Sequence, residues 1–322
     1  MAKYLVTGGA GFIGSNLVDA LVASGDKVVV LDDMSTGSRK NLQDQRSTDV
    51  KVIEADIRDE KEVRKAAKGC DYLLHLACPP GVEPSVQDPK TAIEIAAVGT
   101  LNCLIAARDM KVKRVVFASS AAVYGESPVL PKEENMLPTP YAPIGAGALM
   151  GEELTRVFYT TYRLETVSLR LFNVYGPRQS IEGPHGGVVG AFCASILRGE
   201  NPTVFGDGKQ SRDFIYVSDV IEAFRLACVA PKAEGEVFNI ASGSRLSVGG
   251  LITMFGTMLE REITPTFVDA RSSDVRHGLA DIVKAQEVLG FRPRVRIAEG
   301  LAKTLLWYKK NLPKTSRARA KA

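Results

Sequence analysis

Gly8, Gly11 and Gly14 recur every third residue between an apolar run, Lys3-Tyr4-Leu5-Val6-Thr7, and a segment in which Ile13, Leu17 and Leu21 fall at helical spacing. Three residues without a β-carbon permit a tight turn, close approach of backbone to a pyrophosphate, and close packing of helix on strand. The helix that follows would offer free N–H groups and its positive dipole end to that phosphate. A second apolar run, Val28-Val29-Val30-Leu31, ends in Asp32, where a carboxylate can hold the hydroxyls of an adenosine ribose. Glycine triplets also occur in ordinary turns. Here the strand before, the helix after and the acid at the next strand's end together predict a dinucleotide site.

Other polar residues have plainer roles to set beside chemical ones. Asp56 can accept from an adenine amino group or cap a helix N-terminus, and both readings stand. His75 reads as a satisfied core histidine, and with only His185 and His277 besides it no metal cluster is visible. The five cysteines, Cys70, Cys78, Cys103, Cys193 and Cys228, are scattered without a C-x-x-C spacing. That predicts neither a disulfide framework nor a zinc site and fits a reducing cytoplasm. The net charge of +4 is partly owed to Lys314, Arg317, Arg319 and Lys321. Without interleaved aromatics, this cluster reads as a solvated terminus rather than a nucleic-acid arm.

The elements that must position these residues follow from patterning. At 322 residues, 45% hydrophobic and 24% charged, the composition suits one large or two smaller soluble cores. No charged-then-apolar leader is visible, and no apolar run reads as long enough to cross a bilayer. Strand-like runs recur at Val52-Ile53-Glu54, Tyr72-Leu73-Leu74-His75, Arg114-Val115-Val116-Phe117 and Thr166-Val167-Ser168-Leu169, with helical patterns between. Such alternation predicts an α/β fold of Rossmann type, a doubly wound parallel sheet with helices on both faces. Ligands in these sheets bind beyond the carboxyl ends of the strands. The site should therefore follow Thr7 and Leu31 and lie at Asp56-Ile57, Leu76-Ala77-Cys78, Ser119-Ser120 and Phe172-Asn173.

After about residue 175 the elements shorten and Gly and Pro multiply, as at Gly176-Pro177 and Gly206-Asp207-Gly208. This predicts a smaller carboxyl-terminal substrate lobe. The expected division is 1–175 and 176–322, with a soft boundary and one further strand returning to the sheet. Val248 to Leu259 and the region of Leu301, Leu305 and Leu306 are amphipathic and should cover that lobe.

Along nearly its whole length the chain resembles the extended short-chain dehydrogenase/reductases, and within them the NAD-dependent nucleotide-sugar epimerases and dehydratases. The resemblance rests on Thr7-Gly8-Gly9-Ala10-Gly11-Phe12-Ile13-Gly14, His75-Leu76-Ala77, Ser119 through Gly125, Arg170 through Pro177, and Gly206-Asp207-Gly208 with Arg212 through Val217. It is nearest to UDP-glucose and UDP-glucuronate 4-epimerases. It implies NAD held by Gly8, Gly11, Phe12, Ile13, Gly14, Asp32, Asp33, Ser35, Thr36, Gly37, Asp56, Ile57, Leu76, Ala77 and Phe172. For a UDP-sugar it implies Ser85, on a loop near the sugar, and Asn173, Val188, Val189, Thr203, Phe205, Arg212, Arg271 and Asp274. The two arginines would face the diphosphate, whose oxygens suit guanidinium forks; a surface salt bridge is the plainer role for either alone. A homodimer through helices from Thr91 to Arg108 and from Ile144 to Thr161 is also implied, as is a cytoplasmic location without nucleic-acid or membrane partners.

Catalytically the resemblance is incomplete. Ser120 maps onto the residue that hydrogen-bonds the sugar 4-hydroxyl. The family's Y-x-x-x-K pair is missing: counting back from Leu149-Met150-Gly151-Glu152, the tyrosine position is Ile144 and the lysine position Ala148. A phenol near pKa 10 is a poor base at neutral pH unless a nearby cation favours its phenolate. Tyr141 does not restore the pair, because Gly145 stands four residues on and three residues turn a helix by almost a full turn. Ala96 replaces a usual asparagine. Ala121 and Ala122 stand where dehydratases and decarboxylases carry an acid, which favours epimerisation. The expectation is a UDP-sugar 4-epimerase scaffold impaired in proton transfer. An inactive protein that binds NAD and a UDP-sugar, or a dehydratase or decarboxylase relative, are the alternatives.

Overall fold

Val28, Val29, Val30 and Leu31 are all buried because alternate side chains enter different cores. Val28 and Val30 pack with Leu17 and Leu21, whereas Val29 and Leu31 pack with Leu73 and Val115. With a side-chain period of two, an unbroken apolar strand requires a sheet covered on both faces. The computed structural model that displays this arrangement describes residues 1–43, 48–180, 187–270 and 276–312.

The chain begins β1 (Lys3–Thr7), α1 (Phe12–Ala23), β2 (Lys27–Asp32), β3 (Val50–Glu54), α2 (Glu60–Ala67) and β4 (Tyr72–His75). It continues through α3 (Val82–Gln87), α4 (Pro89–Ile93), a π-helical turn over Glu94–Gly99, α5 (Thr100–Asp109), β5 (Arg114–Ser120), α6 (Pro143–Tyr162) and β6 (Glu165–Leu171). Next come β7 (Val174–Tyr175), α7 (Val188–Arg198), β8 (Thr203–Phe205), β9 (Ser211–Arg212), β10 (Ile215–Tyr216) and α8 (Val217–Val229). The last elements are β11 (Val237–Ile240), β12 (Leu246–Ser247), α9 (Val248–Leu259), β13 (Thr266–Val268), α10 (Val283–Val288) and α11 (Ile297–Asn311).

Seven strands form one sheet in the order β3-β2-β1-β4-β5-β6-β11, all neighbours parallel. Chain direction through the sheet reverses between β1 and β4, which opens a crevice beyond their carboxyl ends. β11, from the second half of the chain, pairs with β6; it is the strand expected to return. Six shorter strands pair two by two, β10 with β7, β12 with β9 and β13 with β8.

One expectation needs correction here. Pro89–Asp109 is a continuous helical run of 21 residues with mean hydropathy 1.3, so a stretch apolar and long enough to cross a bilayer does exist. Half of it is buried within the protein, with Ala92, Cys103, Leu104, Ala106 and Ala107 in the core, so its apolar character is that of a core helix. The helix expected from Thr91 to Arg108 lies within this run, which takes π-helical geometry over Glu94–Gly99.

Candidate functional site

The turn after β1 is shaped so that no side chain fits at Gly8 or Gly14. Gly8 has φ +67°, and a β-carbon there would lie 2.7 Å from the Ala77 nitrogen. One on Gly14 would lie 2.1 Å from the Gly8 oxygen. Backbone therefore comes to the surface of the crevice, and α1 starts there with no side-chain cap, leaving its first N–H groups for a ligand. At the end of β2, Asp32 is 6% exposed and accepts from the N–H groups of Ala10 (2.8 Å) and Met34 (2.9 Å). Burial raises its pKa, and those two donors oppose the rise. Its carboxylate is thus oriented before any ribose arrives.

These residues open onto a cavity of about 790 Å³. Gly8, Gly11, Phe12, Ile13, Gly14, Asp32, Asp33, Ser35, Thr36, Asp56, Ile57, Leu76 and Ala77 all line it, together with Ser120, Ile144 and Ala148. Gly37 does not; it packs behind Asp32, where a β-carbon would come 2.8 Å from the Asp32 Oδ1. Phe172 does not either, since it turns to a second cavity of about 320 Å³ with Asn173 and Arg212. Ser120 and Leu171 belong to both walls. The cavities meet at Ser120.

Ser120 ends β5, and its hydroxyl oxygen accepts the Ala122 N–H at 3.1 Å, which leaves its proton to donate outward. Ile144 and Ala148 share the cavity-facing side of α6, one turn apart. That side is held in place by close contacts. β-carbons on Gly145, Gly147 and Gly151 would meet the Ala122 oxygen at 2.7 Å, the Ala96 β-carbon at 2.5 Å and the Phe117 ring at 2.3 Å. Glu152 on α6 receives a two-pronged pair from Arg170 on β6 (2.9 and 2.8 Å) and a hydrogen bond from Ser119 on β5. Both charged side chains are buried, and removing either partner of such a pair costs about 3–5 kcal/mol.

Several sequence expectations shift. Ser85 is on α3 rather than a loop and is buried. Its oxygen accepts the Ile144 N–H (3.3 Å) while its proton goes to Val82 O (2.6 Å), so its hydroxyl serves the start of α6 and lines neither cavity. Tyr141 precedes the helix, which begins at Pro143, and lines the second cavity. Of the two readings of Asp56, helix capping belongs instead to Asp59. Asp56 accepts from Arg58, whose guanidinium holds its carboxyl below the usual range.

Val188 and Val189 open α7, and Thr203 and Phe205 lie on β8; none of the four lines either cavity. Val189 is in the core instead. Arg271, Asp274 and His185 fall outside the described residues.

His75 is a core residue. Thr7 Oγ1 already accepts from the N–H groups of Leu76 and Ala77 (3.2 and 3.3 Å), so its one proton goes to His75 Nδ1 at 2.7 Å. His75 Nε2 then carries the ring proton and donates to Thr100 Oγ1 at 2.9 Å. Burial pulls its pKa down to about 4. No group of three potential metal ligands occurs among the described residues.

Sequence reasoning missed Arg178 and Gln179, which line the larger cavity. Arg178 holds a left-handed backbone, φ +69°, and Nη2 pairs with Asp19 of α1 at 2.6 Å. Its Nη1 and the Gln179 Oε1 are buried without partners among the described residues. A guanidinium nitrogen without a partner among the described residues, on the cavity that Gly11, Phe12 and Ile13 also line, fits a dinucleotide pyrophosphate, since buried polar groups otherwise go unsatisfied at a cost. The Gly176-Pro177 punctuation marked a turn there but not where its side chains point.

The family model for the NAD dependent epimerase/dehydratase family matches residues 4–241. A UDP-glucose 4-epimerase of Mycolicibacterium smegmatis is 38% identical over 312 residues, covering 95% of this chain and 98% of that protein. Among solved structures, the UDP-N-acetylglucosamine 4-epimerase of Methanobrevibacter ruminantium, in complex with UDP-N-acetylmuramic acid, superposes with TM-score 0.92 at 35% identity, covering 96% of this chain and 98% of that one. The UDP-glucose 4-epimerase of Thermotoga maritima, solved with UDP-glucose, gives 0.91 at 36% identity, covering 97% and 100%. With the glycine cradle, the oriented Asp32 and a match over more than half its length, this chain belongs to the NAD dependent epimerase/dehydratase family.

Proposed function

We propose that the chain holds NAD in the larger cavity and a UDP-sugar in the smaller one, as a 4-epimerase scaffold impaired in proton transfer. The observation that carries this reading is Ser120, shared by both walls, with Ile144 and Ala148 lining the same larger cavity. Bound NAD supplies the hydride acceptor and donor for oxidation and reduction at the sugar C4. Ser120 donates to the 4-hydroxyl. Arg212, with Asn173 on the same wall, takes the UDP moiety, and Arg178 meets the dinucleotide pyrophosphate. Ile144 is hydrocarbon and accepts no proton; Ala148 brings no cation. The proton at the 4-hydroxyl therefore lacks the family's usual acceptor, and a general base typically contributes roughly 10²- to 10⁴-fold.

A second reading, a binding protein without turnover, draws on the same two apolar residues. A dehydratase or decarboxylase is less supported, because Ala121 and Ala122, both on the second cavity, offer no acid. The discriminating experiment supplies UDP-glucose or UDP-glucuronate, follows interconversion to the 4-epimer, and records bound NADH absorbance. Turnover at family-like rates removes the binding-only reading. A second copy is expected on the outer faces of the helices from Thr91 to Arg108 and from Ile144 to Thr161, where Val98 on the first and Met150 and Val157 on the second are exposed; the mass in solution tests that.

A further inference from the structure

A lysine that the reading above leaves unused lines the smaller cavity. Lys132 lines it and is only 3% exposed. Its ammonium donates to Ser127 O, so two of its three N–H bonds have no acceptor among the described residues. No carboxylate of the described residues lines this cavity. Burial draws the lysine pKa below its usual value. A buried ammonium without a counter-charge is costly, and the cost is offset when a ligand brings the anion.

Backbone pairing places this charge relative to the diphosphate end. Lys132 bridges to Ala280, and Ser211, next to Arg212, bridges to His277. Three residues at ~3.3 Å each put those tie points up to roughly 10 Å apart. The Lys132 ammonium is bound to the segment that follows Ser120 and Gly125 in the chain, both on the same cavity wall. Arg212 and Lys132 thus stand at separate tie points along one cavity wall. One ligand lying along the wall would meet positive charge at both ends.

We propose that the glycosyl group of the bound UDP-sugar carries a carboxylate, and that Lys132 is the specificity-determining residue that selects it. This rests on the UDP-sugar reading of the cavity. UDP-glucuronate and UDP-glucose differ only at C6, a carboxylate against a hydroxymethyl group. UDP-N-acetylmuramate and UDP-N-acetylglucosamine differ by a lactyl ether on C3 that also ends in a carboxylate. The two pairs distinguish the sources of the shared chemistry.

The test measures dissociation constants of the NAD-loaded protein for UDP and for both pairs, in the wild type, Lys132→Met and Lys132→Arg. The acidic member of one pair should bind about ten- to a hundredfold more tightly, as one charge-assisted contact gives. Lys132→Met should collapse that preference to within about twofold, leaving UDP and the uncharged sugar unchanged, and Lys132→Arg should retain part of it. Equal affinity within both pairs overturns the proposal, as does a preference that survives Lys132→Met. Absence of UDP binding overturns the underlying UDP-sugar reading instead. Melting temperature and NAD affinity report folding, and should Lys132→Met not fold, the wild-type comparison within each pair still decides.

Discussion

Ile144 and Ala148 stand one helical turn apart on the face of α6 that walls the larger cavity, and both are partly exposed to it. That is the spacing of a tyrosine and a lysine acting together, occupied here by hydrocarbon. The Glu152–Arg170 pair and the bare α-carbons of Gly145, Gly147 and Gly151 fix the helix that carries them. On the reading proposed above, these two positions are where proton-transfer groups would stand.

Ile144→Tyr with Ala148→Lys should raise interconversion of UDP-glucose or UDP-glucuronate by about 10²- to 10⁴-fold, with little change in sugar-nucleotide affinity. Each single change should recover much less, because a phenol without the cation keeps a high pKa and a lysine without the phenol has no base to assist. Ala96→Asn is a further addition to test, since Ala96 lines the same cavity. Steady-state rates of parent, singles and double check this; a parent as active as the double sinks it.

NAD should bind at least about tenfold more tightly than NADP. A 2′-phosphate would face the Asp32 carboxylate, which is held in place by Ala10 and Met34. Arg39 offers limited relief, being engaged with Glu54 at 2.7 Å. Titration with both dinucleotides decides, and tighter NADP binding refutes the role given to Asp32.

Arg212→Ala should weaken UDP and UDP-glucose by about ten- to a hundredfold, from one lost charge-assisted contact. NAD affinity should change less than about twofold, because Arg212 lines only the smaller cavity. Calorimetric titration of each ligand separates the outcomes; parallel loss of both would indicate a folding defect.

Stability should depend on His75. Its folded pKa of about 4 lies below the ordinary 6.5, so the unfolded chain takes up a proton that the folded chain resists. The contribution is whole above pH 6.5 and is lost as pH falls from there toward 4, to the order of 3 kcal/mol. Buried Asp32 and Asp213, whose pKa values are raised, act in the opposite sense, so the comparison must be with His75→Gln. Urea unfolding at pH 7.5 and 4.5 should show the wild-type advantage at the higher pH shrinking at the lower. A gap independent of pH would contradict the neutral, buried imidazole.

Much of the α/β core was legible because its determinants are local. The apolar run from Val28 to Leu31 requires cover on both faces whatever lies far away, and the glycines after Thr7 constrain a turn by their own geometry. Parallel strands then direct the strand ends to one edge, which is why Gly8, Asp32, Asp56, Leu76 and Ser120 share a cavity. Chain pattern also pointed to His75 as a core residue, and the structure buries it with a hydrogen bond on each ring nitrogen. Loops carried no such rule. Ser85 lies on α3 with its hydroxyl committed to α6, and Tyr141 and Lys132 meet one cavity only because Pro143 starts a helix and Ala280 pairs across from Lys132. Where an irregular segment points its side chains depends on partners distant in the chain, 59 residues away for Ser85 and Ile144, and only the folded chain brings those partners together.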